Sequence, residues 1–569
     1  MSLCDNNSFI VPATNFHFLP RLPDSMLVHA RRRRLLFLGV ALVLALAGIL
    51  ALLLGGCGGG SSTQASADPT PVAQPPSPLQ AGDVQNVIQA AVNSVNADMV
   101  VAVVDRAGIV LGVYRTQNAP TAVVGNYGQV SNAIDVAVAL ARTGAFFSND
   151  QAPLSSRTVR FISGIHFPPG VANQPNADLY GIENTNRGCT LVNSPAYQAL
   201  LPPSTALGGG PGLGILTGKA DLYDSDPNAV NPGGVPIFDQ PAGETSVVLG
   251  GIGVVTSSSN LNVAEYAAVV GSTTQRANST EVLGLKSVPA PGAVFIGGIA
   301  LPFVNQITLP AGFSVGPVAG SGAYLAGFTP ISSTGQPPEG DLIAPTNGPL
   351  GGLSVSDVMT ILSNAEATAN LTRAAIRLPL GSRAKMVIAV ADLDGTLIGL
   401  RRMHDSTVFS IDVAASKARN MIYFNSNMRT AADLPGVPLG TAVTNRTISF
   451  GAMPLYPPGI GGNGPPYSPG PFFNSFLFDA ANPCTQGMQV GPPNVLKSGI
   501  VFFPGSAGLF RNGQLVGGLG VSGDGVDEDD YVTNGGTLGF EAPLAIRADQ
   551  IIDQGVRLPY FKFPRNPTD

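Results

Sequence analysis

Arg157–Val171 reads RTVRFISGIHFPPGV, and Arg446–Ile460 reads RTISFGAMPLYPPGI with the same internal spacing. The two stretches are one motif used twice, because further echoes flank them in the same order. Asp105–Arg115 (DRAGIVLGVYR) is answered by Asp392–Arg402 (DLDGTLIGLRR), and Ile134–Arg142 (IDVAVALAR) by Ile411–Arg419 (IDVAASKAR). Gly250–Val254 (GGIGV) returns as Gly517–Val521 (GGLGV), and Gly298–Phe303 (GIALPF) as Gly555–Tyr560 (GVRLPY). The sequence therefore predicts two copies of one domain, at about 79–306 and 353–567, with 307–352 a Gly/Pro/Ser/Thr-rich linker draped over a surface. A chain of 569 residues is long for one core and comfortable for two.

Each copy opens with an amphipathic helix: Val84, Val87, Ile88, Ala91, Val92 and Val95 keep the 3.6-residue period, as do Val358, Ile361, Leu362 and Ala365. A hairpin follows, with turns at Asp105–Gly108 and Asp392–Gly395, then a second helix over 132–147 and 410–424. After long Pro/Gly-rich excursions, 148–232 and 425–497, come short strands at 235–239, 246–249 and 251–256. Their counterparts are expected at 499–503, 514–516 and 518–522, before a closing helix from Asn262 or Asp529. The pattern predicts an α+β fold, an antiparallel sheet flanked by helices in each copy.

The N-terminus carries an address. Arg31–Arg34 precede a 20-residue apolar run, Leu35–Leu54, and then Gly55-Gly56-Cys57. A basic flank, an apolar stretch and small residues at a cut site predict a secretory signal over 1–57. Leu54–Cys57 resembles a bacterial lipobox, so Cys57 is expected to be lipidated, with 58–78 a flexible tether. The alternative is an uncleaved anchor, since the run is long enough to span a bilayer. Either way the chain is expected in the cell envelope, held to the membrane. Cys189 and Cys484 are each followed by Thr at matching places in the copies. In an oxidising compartment two such thiols tend to pair, and about a pseudo-twofold axis equivalent residues meet. A Cys189–Cys484 bridge is expected; two separately buried thiols are the other reading. A net charge of −6, with no basic block in the exported part, speaks against nucleic acid as a partner.

Asp-x-x-Gly, a strand ending in Arg, then Ile-Asp-x-Ala-x-x-Lys-Ala-Arg on a helix resembles the GlcG/HbpS-like domains. The second copy carries the likeness through Arg402, Met403, Asp405, Asp412, Lys417, Ala418 and Arg419, then Gly518–Gly523 leading to Asp527 and Asp529. The first copy departs from it, with Leu140 in place of Lys417 and Val255-Thr256 in place of Ser522-Gly523. The resemblance implies a profilin-like fold, self-association and, in some members, heme or another tetrapyrrole as cofactor. On that reading His404, which follows the hairpin of the second copy, is the preferred iron ligand. Arg402, Lys417 and Arg419 then stand near the cofactor, with Lys417 or Arg419 facing a propionate. His166 is less suited, because its counterpart is Leu455. The competing readings are a solvated or packing histidine and helix-end arginines that brace the fold.

Enzyme signatures are thin. Asp221–Asp226 and Asp524–Asp530 lack EF-hand spacing, the Gly-rich runs lack the setting of a phosphate loop, and no GxSxG elbow occurs. The first expectation is an exported, lipid-anchored tetrapyrrole-binding protein whose copies form an intramolecular pseudo-dimer. A cofactor-free envelope scaffold is the alternative, and a heme-degrading enzyme a weaker one.

Overall fold

The computed structural model describes residues 77–189, 212–226, 228, 231–240, 245–285, 292, 294–458, 468–489, 491 and 494–568. These fall in one compact unit, Gln74–Asp569, so Cys57 and the predicted signal and lipobox lie outside the described residues. Among the described residues no helix is long and apolar enough to cross a membrane.

Helix α1 (Ala81–Ser94) starts at a capping box between Gln80 and Asp83 and buries Val84, Val87, Ile88 and Ala91. Strands β1 (Met99–Asp105) and β2 (Val110–Arg115) form the first hairpin, and α2 spans Ala133–Phe147. Strands β3 (Gly234–Asp239) and β4 (Val247–Thr256) precede α3 (Asn262–Ser272). Two edge strands come from the segment read as a linker: β5 (Ala323–Tyr324) and β6 (Gly340–Ile343). Then come α4 (Val355–Leu371), β7 (Met386–Ala391), β8 (Leu397–Arg402) and α5 (Phe409–Asn425). Strands β9 (Ser506–Arg511) and β10 (Gln514–Gly523) and helix α6 (Val526–Gly536) follow.

The strands make two antiparallel five-stranded sheets, β3-β4-β1-β2-β5 and β6-β8-β7-β10-β9. The predicted α+β class, with antiparallel sheets flanked by helices, is what forms. Alternation along β1 sends Val101 and Val103 toward a core shared with α1 and α3, and Val100, Ala102 and Val104 toward α2. In the second sheet Ile388 and Val390 face a core with α4, while Val387 and Ala389 join the cluster that holds α2 and α5.

The echoed motifs have visible physical causes. A Cβ on Gly251 or Gly253 would collide with the carbonyl oxygens of Ala141 or Ala137, and on Gly518 or Gly520 with those of Ala418 or Ala414. Glycine is needed there because α2 and α5 lie backbone-close on β4 and β10. Arg142 Nε donates to the Gly108 carbonyl at 3.0 Å, and Arg419 Nε to the Gly395 carbonyl at 2.9 Å. Thr158 and Thr447 donate to the carbonyls of Pro302 and Pro559, tying each RT motif to its LPF or LPY segment.

Two expectations need correction. No strand forms at 499–503; Ile500 N–H and Val501 N–H instead donate to the side chains of Asp479 and Asn420, and β9 starts beyond Pro504-Gly505. The pairs of short strands at 246–256 and 514–522 are each one continuous strand, since glycine keeps its place in the ladder. Cys189 and Cys484 are joined in a disulfide, with Cα atoms 5.3 Å apart. Close by, buried Arg187 pairs with Asp479 at 2.8 Å, so bridge and ion pair link the same two excursions.

Candidate functional site

A cavity of about 1020 Å³ opens where α2 ends, α5 begins and the acidic start of α6 faces them. Its floor is aromatic. Phe147, the last residue of α2, stacks on Phe409, the first of α5, with ring centroids 4.1 Å apart and planes 6° from parallel. Phe503, Phe167 and Phe295 add three more rings, Phe295 from a small hairpin whose strands are Phe295–Ile296 and Ile299–Ala300. The wall is acidic: Asp178 from the first excursion, and Asp527, Glu528 and Asp529 from α6. Arg373 and Arg565 stand at the exposed rim.

Four consecutive acids open α6, where the helix dipole favours negative charge. Most have a cation. Arg446 reaches Asp530 at 2.8 Å and also Asp527, and Lys562 reaches Asp527 at 2.8 Å. Buried Lys417 donates to Asp529 Oδ2 at 2.9 Å and to the Val521 carbonyl at 2.7 Å, with its ammonium 5.0 Å from the Phe503 ring centroid. Burial pushes the Asp529 carboxyl up to about 7, against the pull of Lys417, and lowers the Lys417 ammonium. Glu528 forms no ion pair among the described residues; burial, with Asp527 and Asp529 beside it, pushes its carboxyl up to about 8. Asp178 touches the open space of the cavity yet is ringed by protein, and burial and then Asp527 raise its carboxyl.

The residues singled out by sequence do not gather at this cavity. The His404 imidazole is 81% exposed, its Nδ1 2.8 Å from Glu339 Oε2. Arg402 is buried, donating to the carbonyls of Ser406, Pro337 and Pro338. Arg419 is fully buried on the Gly395 turn. Lys417 meets the cavity wall through Asp529. His166 is buried, with Nδ1 2.7 Å from the Gln174 carbonyl. Among the described residues, no group of three or more His, Cys, Asp or Glu is placed to hold a metal ion. Sequence reading missed Phe147, Phe167, Asp178 and Phe295 as partners of α6. Phe295 adjoins the repeated GIALPF motif, but nothing in that motif says what its hairpin faces.

No curated protein matches the chain. Among solved structures, Klebsiella pneumoniae protein ORFY is 17% identical, over 33% of this chain and 90% of its own, with a TM-score of 0.21. A structure titled PduOC:heme complex is 19% identical, over 34% of this chain and 96% of its own, also with a TM-score of 0.21. Residues 362–537, which run from within α4 to just past α6 and supply Phe409, Phe503 and the α6 acids of the wall, match the family model described as haem degrading protein HbpS-like.

Proposed function

We propose that the chain is an exported, lipid-anchored protein of two profilin-like copies that binds heme or a related tetrapyrrole in the cavity between them. The observation that carries the reading is the cavity itself. Its volume suits a drug-sized to macrocycle-sized ligand, and its floor is a bed of five phenylalanines against which a flat conjugated ring can stack. The HbpS-like match over 362–537 supports it, because that segment supplies much of the lining. Arg373 and Arg565 at the rim suit propionates through planar, charge-assisted hydrogen bonds.

The donor set fits the macrocycle and not an iron. Among the described lining residues there is no His, Cys, Met or Tyr, the usual side chains that hold heme iron. His404 lies outside the cavity as an exposed imidazole, so coordination by it would mark a second, surface mode of binding. Two matched elements support the two-copy reading: both sheets place the second hairpin strand beside a linker-derived edge strand, and both use the same arginine-to-turn bond.

Absorbance titration of the purified protein with hemin and with open-chain and metal-free tetrapyrroles tests the reading. At least one should bind with saturation near one equivalent, unchanged in His404→Ala and weakened in Phe409→Ala. Failure of every one to bind at micromolar concentration overturns the proposal and favours a cofactor-free scaffold. Loss of binding in His404→Ala alone would move the site to the surface loop.

A further inference from the structure

We propose, resting on the tetrapyrrole reading above, that the cavity selects a metal-free, open-chain tetrapyrrole over heme. The carboxylates of the acidic wall would engage its pyrrole N–H groups, and Arg373 and Arg565 its propionates.

Asp529 lines the cavity and is 2% exposed; Lys417 takes its Oδ2, while its Oδ1 accepts no hydrogen bond among the described residues. Glu528 and Asp178, across the same space, form no ion pair there either. A buried acceptor without a partner, as Asp529 Oδ1 is, is costly, and a ligand that supplies a donor relieves that cost, while half-buried Glu528 and exposed Asp178 are open to the cavity. The wall is thus a set of acceptors facing an aromatic bed.

Heme cannot answer it. All four of its ring nitrogens are bound to iron, so the macrocycle presents no N–H, and its metal seeks an axial His, Cys, Met or Tyr that the described lining residues do not include. An intact metal-free porphyrin has N–H groups, but they point to its centre, shielded by the ring. Opening the ring changes this. The pyrrole N–H groups become reachable donors, and the terminal rings carry lactam carbonyls that accept. A carboxyl that keeps its proton can donate to such a carbonyl, and Glu528, pushed up to about 8, keeps its proton at neutral pH. The flat Phe147–Phe409 stack suits a conjugated strip as well as a closed ring. One cavity therefore offers acceptors, a protonated donor and a cationic rim, the three kinds of group an open-chain tetrapyrrole can engage.

Titration of the full-length protein with biliverdin, protoporphyrin IX and hemin tests the assignment. Biliverdin is expected to bind at one equivalent, with a Kd at least about tenfold below that of hemin, the scale of one or two hydrogen bonds to charged groups. Glu528→Leu, which removes the donor, and Asp178→Asn should each weaken biliverdin by about tenfold and leave hemin unchanged, while Arg373→Ala should weaken both. Asp178 is exposed and Glu528 half-buried, so both substitutions are tolerable in the fold, and an unchanged thermal midpoint checks this. Tighter binding of hemin, or biliverdin affinity indifferent to both variants, overturns this inference and leaves the tetrapyrrole reading standing. Binding of none of the three overturns both.

Discussion

Arg142 and Arg419 show how a repeated residue is to be read. Both donate through Nε to the carbonyl of the glycine that ends the hairpin turn, so their repetition records a structural brace. Lys417 has no such twin, since Leu140 holds its place in the first copy, and its charge is matched by Asp529 on the cavity wall. Removing one partner of a buried pair strands the other, which costs about 3–5 kcal/mol. Lys417→Met should therefore lower unfolding stability by that order in urea denaturation, and Lys417→Met with Asp529→Leu should recover much of it. The loss has a pH signature. Without the ammonium, the Asp529 carboxyl, already raised by burial, holds its proton to still higher pH in the folded state than in the unfolded one. Stability then falls as pH rises from the ordinary carboxylate range through the folded value, so the defect should be larger at pH 8 than at pH 5. A variant as stable as the parent at both pH values would refute the pairing. These roles were half legible in sequence: spacing marked the arginines and the lysine, while their partners came from distant segments that no local pattern names.

At the level of elements, the GGIGV and GGLGV echoes are explained by closeness rather than flexibility. Helices α2 and α5 press their Ala137/Ala141 and Ala414/Ala418 carbonyls onto the glycines of β4 and β10. Gly520→Ala forces its Cβ into the Ala414 carbonyl, and overpacking of this kind costs about 1–3 kcal/mol. Gly253→Ala should do the same against Ala137, and a lowered midpoint of thermal unfolding checks both. Helix periodicity and hairpin turns were legible because each rests on local residues, the 3.6-residue apolar spacing of α1 and α4 and the glycines at 108 and 395; the cap of α4, expected at Ser356 or Asp357, is Ser354. The segment at 499–503 was not. Its run of Ile500, Val501, Phe502 and Phe503 reads like a buried strand, yet its backbone is held by Asp479 and Asn420, whose reach depends on tertiary packing. The edge strands β5 and β6 escaped notice for a similar reason, being too short to carry a period.

Among the described residues, the unit Gln74–Asp569 packs as one cooperative body. A single apolar cluster runs from β1 and α2 through the Phe147–Phe409 stack to α5 and β7, so neither sheet has a complete core of its own on that face. Unfolding by heat should accordingly give one transition for both sheets, with far-UV ellipticity and tyrosine fluorescence coincident. Two separated transitions would show that the halves are independent. The same packing explains why the cavity was hidden from the sequence: its floor takes one stacked ring from each half and its wall combines an excursion of the first with a helix of the second. The Cys189–Cys484 bond spans 295 positions of chain and encloses the linker, both edge strands and most of the second half within one covalent ring. A single cut anywhere inside that ring therefore leaves one molecule rather than two pieces. The long glycine- and proline-rich surface can be nicked once there without the two sheets parting company.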